Sequence, residues 1–452
     1  MDFLLSKGAK IALEKLHKSG HEAVVVGGAV RDHFLGLKPF DFDVATSATP
    51  QEVLGIFSEQ RTFTAGIKHG TVSVAIGCEI VEITTFRSDG RYFDCRHPQS
   101  VEFVGSLEED LKRRDFTVNA ICFDGENFID PLGGAEDLKR GVLKCIGSAE
   151  NRFKEDALRI LRAVRFVSEF GFSVEENTKA ALFAHKRLIS GISAERIREE
   201  FYKILLGDHS FVALEEYRDT IAEIVPEIAP CFDFEQMSVY HDFDVYVHTV
   251  RAVSAAPKDI TIRLAAFFHD IGKPEKFFIG ADGHGHFYGH PEASRRIAEV
   301  ALNRLKCPKS QINDVLLLVE RHDAPIIPEG GKGTREKYIL RALNRYGAEN
   351  FFRLIEIKRA DNLAQKDPPG RNILQRLAEL DNVKNDAKAL LSGGACVALR
   401  DLAINGDDLK TIGLCGRDIG KTLETLLGMV LDGAIANDRE RLLREARRLN
   451  KK

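Results

Sequence analysis

Two glycines and two aspartates near the amino end of the chain have the spacing of a phosphate and metal site. A run of β-branched residues ends at Gly27 and Gly28, which predicts a buried strand that opens into a tight turn. Backbone without side chains can approach a phosphate closely, and Arg31 follows one helical turn later to pair with it. Asp41 and Asp43 point to the same side of an extended segment and offer the hard oxygen ligands that Mg²⁺ prefers. The alternative is a glycine turn followed by a solvated acidic loop.

Further charged residues in the amino-terminal third can extend this site. Glu82 lies on a predicted strand and is either a third carboxylate for a two-metal centre or an ordinary outward-facing strand residue. Arg113 and Arg114 can hold triphosphate oxygens, while Asp115 and Asn119 can fix a ribose or order the turn. A plain surface arginine pair explains the same residues.

A third group has helical spacing. Asp156, Arg159 and Arg162 are three residues apart, which predicts one shared helix face, and Glu155 can brace Arg159 from the i, i+4 position. A carboxylate and a guanidinium on one face can present acceptors and donors to the edge of a nucleobase. Arg165 continues the series, inside a locally basic stretch at 138–166. The alternative is a salt-bridged, solvated helix.

Composition limits the class of protein. The 452 residues exceed one core and predict two to four domains, and the net charge of −4 argues against indiscriminate coating of nucleic acid. We find no apolar run of bilayer length and no signal-peptide pattern, so we expect no membrane association. The eight cysteines form no Cys-x-x-Cys pair, which favours reduced thiols in the cytoplasm.

Hydrophobic periodicity changes along the chain. We expect an amphipathic helix at 4–18 and then strands at 23–26, 71–76, 79–86, 101–104, 117–123 and 142–146. From about Ser148 onward the period is helical to the carboxyl end. The sequence therefore predicts an α/β head followed by a long all-helical body.

The motifs occur together in an order that resembles a known family. They are Gly27-Gly28-Ala-Val-Arg31-Asp32, Asp41-Phe-Asp43, Glu82-Ile-Thr-Thr-Phe-Arg87, Arg113-Arg114-Asp115-Phe-Thr-Val-Asn119, Asp130-Pro-Leu-Gly133-Gly134, Glu155-Asp156-Ala-Leu-Arg159 and Ile192-Ser-Ala-Glu-Arg196. This order is similar to that of class II tRNA nucleotidyltransferases, the CCA-adding enzymes, whose head and neck are shared with bacterial poly(A) polymerases. The resemblance covers about residues 20–206.

The resemblance implies roles for individual residues. Asp41 and Asp43 are expected to hold Mg²⁺, with Glu82 as a third catalytic carboxylate. The expected nucleotide-binding residues are Gly27, Gly28, Arg31, Asp32, Arg113, Arg114, Asp115, Asn119, Asp156, Arg159, Arg162 and Arg165. Among them, Asp156 and Arg159 are expected to read the edge of CTP or ATP. The segment 88–98 resembles the family's flexible loop, with His97 where many relatives carry an arginine.

A second constellation lies downstream. His269 and Asp270 are adjacent at the end of an apolar helix, and buried imidazole and carboxylate groups need a partner such as a divalent cation. Together with His248 and Asp361 they resemble the metal ligands of the HD phosphohydrolase superfamily. Two more histidines are candidate ligands for a second ion: His290 and His322. A satisfied core histidine is the alternative, and such domains can also persist as scaffolds.

These expectations give a domain plan for an α+β protein. It comprises a polymerase-β-like nucleotidyltransferase head with a mixed sheet at 1–146, a helical neck at 147–206, linker helices at 207–235, an HD domain at 236–370 and a helical tail at 371–452. Glycines near 406–420 in the tail are candidates for contact with RNA phosphates or plain helix caps.

The predicted function is template-independent addition of C, C and A from CTP and ATP to the 3′ end of tRNA, with release of pyrophosphate and a possible HD phosphohydrolase activity. Poly(A) polymerase or A-only addition fits the same head and neck. An alarmone synthetase and hydrolase is disfavoured because its HD domain comes first, and an RNA-binding relic because all three carboxylates are present. The oligomeric state and the identity of the HD metal are not fixed by the sequence.

Overall fold

The computed structural model describes residues 3–39, 41–89, 101–238, 242–327, 333–365 and 372–450. They form two compact units, residues 1–229 with 304–306, and residues 230–303 with 307–452. Most of the predicted flexible loop at 88–98 lies outside the described residues. Within the described ranges, no helix has both the length and the apolar character needed to cross a membrane.

A mixed sheet forms the core of the first unit. Its strands are β1 (Ala23–Val26), β2 (Asp43–Thr46), β3 (Thr62–Phe63), β4 (Thr71–Ile76), β5 (Glu79–Thr85), β8 (Cys122–Phe123) and β9 (Phe128–Ile129). Their order is β3-β4-β5-β2-β1-β8-β9, with β2 parallel to β5 and the other neighbouring pairs antiparallel. A separate hairpin consists of β6 (Arg87–Asp89) and β7 (Val101–Phe103). The mixed-sheet head predicted from the sequence is thus confirmed.

Helices surround the sheet and continue beyond it. They are α1 (Lys7–Lys18), α2 (Gly28–Phe34), α3 (Pro50–Ile56), α4 (Leu107–Lys112), α5 (Gly134–Arg140), α6 (Ala149–Glu155), α7 (Leu158–Phe170), α8 (Glu176–His185), α9 (Ala194–Leu206), α10 (Ser210–Glu216) and α11 (Arg218–Ile224). The predicted helix at 4–18 begins later because the Ser6 hydroxyl caps it, accepting from the Ala9 amide at 3.1 Å.

Three predictions of secondary structure were wrong. The expected strand at 117–123 begins as the 3₁₀ turn Thr117–Asn119 and is extended only at β8. The expected strand at 142–146 shortens to β10 (Val142–Leu143), which pairs with β11 (Ser173–Val174) inside a region predicted to be wholly helical. Such short pairings carry too few residues to show a period-2 pattern.

The second unit is almost entirely helical. Its helices are α12 (Val245–Ala255), α13 (Ile260–Phe268), α14 (Lys273–Lys276), α15 (His290–Arg304), α16 (Lys309–Arg321), α17 (Arg335–Tyr346), α18 (Ala348–Ala364), α19 (Ile373–Ser392), α20 (Gly406–Lys410), α21 (Arg417–Leu431) and α22 (Arg439–Asn450). A short hairpin of β12 (Phe278–Ile279) and β13 (Gly285–His286) departs from the all-helical prediction. Buried faces of α12, α13, α16 and α18 form the core that positions the histidines of this unit.

Candidate active site and candidate metal centre

The first unit contains a polar cavity of about 650 Å³. Every residue predicted to bind a nucleotide lines it, together with both aspartates predicted to hold Mg²⁺. The lining is Gly27, Gly28, Arg31, Asp32, Asp41, Asp43, Arg113, Arg114, Asp115, Asn119, Asp156, Leu158, Arg159, Arg162, Arg165 and Arg196. The fold therefore brings together groups that are spread over 170 positions of sequence, from Gly27 to Arg196.

Strand register places two of the three predicted carboxylates, Asp43 and Glu82, side by side on neighbouring interior strands. Asp43 lies opposite Val26 on one side and opposite Glu82 on the other. Gly27 has a φ of +86°, and a β-carbon there would lie 3.8 Å from Asp43 Oδ2. Burial and the charge of Glu82, with a smaller effect of Asp41, raise the pKa of Asp43. The charge of Arg114 partly offsets this rise. Neighbouring carboxylates fit a divalent ion, although Glu82 does not line the cavity itself.

The Arg31 guanidinium is held on several sides. Its Nη2 donates to Asp32 Oδ1 at 2.6 Å, and its Nη1 donates to Asn119 Oδ1 at 2.9 Å. The carbon of the guanidinium also lies 5.3 Å and 4.8 Å from the ring centres of Phe166 and Phe170. These contacts fix the direction of a cation one turn after the glycines.

Arg113 and Arg114 share one carboxylate that sequence reasoning missed. Asp110 is fully buried, and its Oδ1 accepts from Arg113 Nη2 at 2.7 Å while its Oδ2 accepts from Arg114 Nη2 at 2.9 Å. Burial by itself would raise the pKa of Asp110, but the charges of Arg114 and Arg113 hold it below its usual value. The i, i+3 and i, i+4 spacing of acid and bases was the available signal.

A second ion pair, between the buried Asp115 and the half-buried Arg162, joins the head to the following helices. Arg162 Nη2 lies 2.6 Å from Asp115 Oδ2, and Asn119 Nδ2 donates to Asp115 Oδ1 at 3.1 Å. Burial raises the pKa of Asp115, but Arg162 and the hydrogen bonds overcome this and lower it to about 2. Arg165 pairs with the buried Glu200 on α9 at 3.3 Å. These arginines are therefore neutralised as well as positioned.

The predicted single helix face of Asp156, Arg159 and Arg162 was wrong in detail. Asp156 ends α6 with extended backbone angles, and its Oδ1 accepts from the amide of Leu158, which begins α7. The helical run thus breaks at Asp156, whose carboxylate accepts from the first amide of α7, two residues later. Asp156 and both arginines nevertheless line the same cavity.

Arg159 makes more hydrogen bonds within the protein than expected. Its Nη1 donates to Glu155 Oε2 at 2.8 Å, which confirms the predicted i, i+4 brace, and to the carbonyl of Arg152 at 3.1 Å. Its Nη2 donates to the carbonyl of Arg113 at 2.9 Å. Arg159 therefore ties α7 to the arginine pair, and its role in reading a base stays a prediction.

Arg196 is a cavity residue to which sequence reasoning gave no role. Its Nη2 donates to Asp156 Oδ2 at 3.1 Å, and its Nη1 is buried without a hydrogen-bond partner among the described residues. A buried donor without a partner beside an oriented carboxylate is costly unless a ligand satisfies it. The basic spacing in α9 was visible, but the link to Asp156 depends on tertiary structure.

The second unit gathers the four predicted HD residues around one position. His248 Nε2 lies 3.2 Å from His269 Nε2, 3.3 Å from Asp270 Oδ2 and 3.1 Å from Asp361 Oδ1. His269 Nε2 lies 3.2 Å from the same Asp270 oxygen. Burial alone would lower the pKa of His269, but Asp270 and Asp361 raise it to about 10. Nitrogen and oxygen donors at these separations suit a divalent cation.

Asp270 also faces a second group. Its other oxygen, Oδ1, lies 3.2 Å from His290 Nε2 and 3.6 Å from His322 Nε2, and these histidine nitrogens are 3.3 Å apart. The Nδ1 atoms of His290 and His322 contact the carbonyls of Phe287 and Val319 at 2.9 Å and 2.7 Å, which leaves each Nε2 facing the centre. Two candidate metal positions therefore share one carboxylate.

Sequence reasoning missed the positively charged side chain beside Asp270. Lys273 is buried, and its Nζ lies 2.6 Å from Asp270 Oδ2 and donates to Gln236 Oε1 at 2.7 Å. Gln236 is itself buried and donates to the carbonyl of Phe243. The His-Asp-x-x-Lys spacing was visible in the sequence, but the glutamine comes from a distant segment.

Comparison with known families accounts for most of the chain. Residues 23–144 match the family described as the Poly A polymerase head domain, and residues 171–232 match the one described as the probable RNA and SrmB-binding site of polymerase A. Residues 241–366 match the HD domain.

Curated relatives are named CCA-adding enzyme. The one from Lactobacillus delbrueckii subsp. bulgaricus is 49% identical over 232 residues, which are 51% of this chain and 58% of the relative. The one from Geobacillus thermodenitrificans is 48% identical over 219 residues, which are 48% of this chain and 54% of the relative. The matched part of the chain thus spans little more than half the length of these relatives.

Solved structures match over nearly the whole chain. The Bacillus stearothermophilus CCA-adding enzyme in complex with CTP aligns with a TM-score of 0.72 at 29% identity, covering 98% of this chain and 97% of the other. The Thermotoga maritima CCA-adding enzyme complexed with tRNA aligns with a TM-score of 0.54 at 21% identity, covering 97% and 93%. The second likeness concerns the fold alone.

Proposed function

We propose that this chain, which belongs to the class II tRNA nucleotidyltransferases that carry an HD domain, builds or repairs the CCA end of tRNA. In this reaction the 3′-hydroxyl of tRNA attacks the α-phosphorus of CTP, twice, and then of ATP. Each step forms one P–O bond and breaks the bond to the β-phosphate, so pyrophosphate leaves. A cytoplasmic location is part of the same proposal.

One observation carries the proposal: the metal-binding aspartates and the Asp156–Arg196 pair lie in one cavity. A site that only hydrolysed phosphates would not need base-reading groups. Asp156 and Arg196 offer an acceptor and a donor to a base edge, and bases differ in that pattern. Selection by protein groups replaces selection by a template strand.

The carboxylates, glycines and arginines of the site have separate roles in the proposed reaction. Asp41 and Asp43 would hold Mg²⁺, with Glu82 beside them, and the ion would stabilise charge at the reacting phosphate. Gly27 and Gly28 let the backbone approach the phosphates. The guanidiniums of Arg31, Arg113 and Arg114 are the proposed partners of the triphosphate, since each is already oriented by a carboxylate.

Incorporation of single nucleotides tests the proposal. tRNA transcripts that lack the last one, two or three nucleotides are offered CTP or ATP alone, with an unstructured RNA as the control substrate. We expect C on the two shorter substrates and A on the longest. Failure to add C to any tRNA would exclude CCA addition, and long A tracts on the unstructured RNA would identify the alternative poly(A) polymerase.

We also propose a metal-dependent phosphohydrolase activity for the second unit. The observation behind it is the Asp270 carboxylate, which faces one ligand group with each oxygen, as two-metal phosphoesterases require. Lys273 adds a buried cation that can meet a phosphate oxygen. Loss of phosphate-ester hydrolysis in His269→Ala with nucleotide transfer intact is the expected result; equal hydrolysis in the variant would exclude this centre.

A further inference from the structure

A short segment that precedes α12 places the side chain of Gln236 beside Lys273 in the second unit. Gln236 is buried, and both ends of its amide are bonded: Oε1 accepts from Lys273 Nζ at 2.7 Å, and Nε2 donates to the carbonyl of Phe243 at 3.1 Å. Lysine is only a donor and a carbonyl only an acceptor, so this orientation of the amide is the one that satisfies both partners. Gln236 therefore presents one acceptor to Lys273 in a fixed direction.

The backbone around Gln236 is strained and closely packed. Two residues of the segment have left-handed backbone although neither is glycine, Asp233 with a φ of +53° and Met237 with a φ of +46°. The Met237 carbonyl accepts from the Gly285 amide at 2.8 Å, and a β-carbon at Gly285 would lie only 2.3 Å from the carbonyl oxygen of Gln236. Left-handed backbone at such residues costs free energy and is kept where the surrounding contacts require it. The segment thus follows one specific path against β13.

The ammonium group of Lys273 is buried and has three N–H donors. One donor meets Gln236, and another meets Asp270 Oδ2, which is 2.6 Å from Nζ. The ring of Phe287 lies alongside, with its centre 5.2 Å from Nζ. Because an ammonium is tetrahedral, two fixed acceptors determine the direction of the third N–H. That donor has no acceptor among the residues that the structure describes.

Lys273 also lines a cavity of about 530 Å³ in the second unit. Four candidate metal ligands line the same cavity: Asp270, His290, His322 and Asp361. A phosphate bound to cations at these ligands would lie in the same space as the ammonium group. A neutral amide such as that of Gln236 orients this ammonium without cancelling its charge, whereas a carboxylate in its place would compete with the phosphate.

We propose that Gln236 is a positioning residue, which fixes Lys273 so that its third N–H donates to a phosphate oxygen of the substrate. Without the amide, the ammonium group can turn a second donor towards Asp270, and the direction of the remaining donor is lost. This inference rests on the proposed phosphohydrolase activity of the second unit and adds to it a residue that contacts neither substrate nor metal.

A double-mutant cycle tests whether Gln236 acts through Lys273. The probe is inorganic phosphate, titrated calorimetrically into the full chain loaded with Mn²⁺, and the binding that His269→Ala removes is assigned to the second unit. We expect Gln236→Met to weaken this binding by about tenfold, and to change it by less than about twofold when Lys273→Met is already present. The kcat/KM for hydrolysis of p-nitrophenyl phosphate should follow the same pattern, and the metal content of Gln236→Met should equal that of wild type.

Gln365→Met is the matched control. Gln365 lines the same cavity and donates to Asp361 Oδ2 at 3.0 Å, but it does not contact Lys273. Its effect on phosphate binding should be the same with and without Lys273→Met. If Gln236→Met does not fold, Gln236→Asn takes its place in the cycle, because its shorter side chain cannot keep both contacts.

Four results would overturn the inference: equal losses from the Gln236 substitution in both Lys273 backgrounds, no loss in either, a lower metal content than in wild type, or no phosphate binding that depends on His269. The proposed phosphohydrolase activity fails separately, if wild type binds phosphate in the expected pattern but hydrolyses no phosphate ester.

Discussion

Arg196 donates to Asp156 across 40 positions of sequence, with Nη2 3.1 Å from Oδ2. The pair fixes the orientation of the carboxylate that we expect to face a base, and it leaves Arg196 Nη1 buried and free of hydrogen bonds among the described residues. We therefore regard Arg196 as a positioning residue for Asp156.

Arg196→Lys should relax the choice of nucleotide. Lysine cannot present two fixed donors in one plane, so the pair and the second donor cannot both be kept. We expect the ratio of kcat/KM for CTP over UTP to fall by about tenfold or more. Arg187→Lys, the same substitution at an exposed arginine of the same region, is the control and should leave the ratio unchanged. A similar fall in both variants would mean that the effect is not specific to Arg196.

Gly27→Ala should impair transfer beyond its effect on stability. A side chain at a φ of +86° strains the backbone by about 1–2 kcal/mol, and the new methyl group would lie 3.8 Å from Asp43 Oδ2. Gly20→Ala matches the strain, with a φ of +84° and no atom within 4 Å of the added carbon. We expect both to lower thermal stability and only Gly27→Ala to lower kcat by at least about tenfold. Equal transfer rates would contradict a phosphate role for this turn.

Asp115 should make the first unit sensitive to acid. Its folded pKa of about 2 lies below the ordinary value of 3.8, so its contribution is present above about pH 4 and is lost as the pH falls towards 2. The contribution is roughly 2 kcal/mol. Asp115→Asn should be less stable than wild type at neutral pH, and the difference in denaturant midpoint should shrink below about pH 4. A difference that is constant with pH would rule out this linkage.

Metal stoichiometry separates the two positions in the second unit. His290→Ala should reduce the bound divalent ions from about two to about one, because it removes a ligand from one group only. Asp270→Asn should abolish stable binding at both positions. Asp282→Asn, an exposed acid on the wall of the same cavity, is the control and should bind as wild type does. Elemental analysis after dialysis gives the count, and identical counts in all variants would contradict a shared carboxylate.

Local patterns were sufficient for the parts of the site that lie close together in sequence. The glycine turn, Asp41 and Asp43 depend on residues within one strand-turn-helix unit, and the adjacent His269 and Asp270 follow an apolar helix. In both cases burial and periodicity limit the possible geometry strongly.

Contacts between residues that lie far apart in the sequence could not be predicted from it. Asp156 looked helical because its neighbours are, but its backbone is extended and its carboxylate accepts from the Leu158 amide between two helices. The partners of Asp156 and Lys273, which are Arg196 and Gln236, come from segments 40 and 37 positions away. The hydrophobic periodicity of one helix or strand does not indicate which distant side chain contacts it.

The buried Asp110 has a consequence for catalysis. Because its two oxygens hold Arg113 and Arg114 at once, two long side chains lose their rotamer freedom when the protein folds and not when a triphosphate arrives. Preorganisation of this kind reduces the entropy lost when the triphosphate binds. The two oriented arginines should therefore increase affinity without any contact between Asp110 and the substrate. Asp110, although fully buried, thereby orients both arginines before the substrate binds.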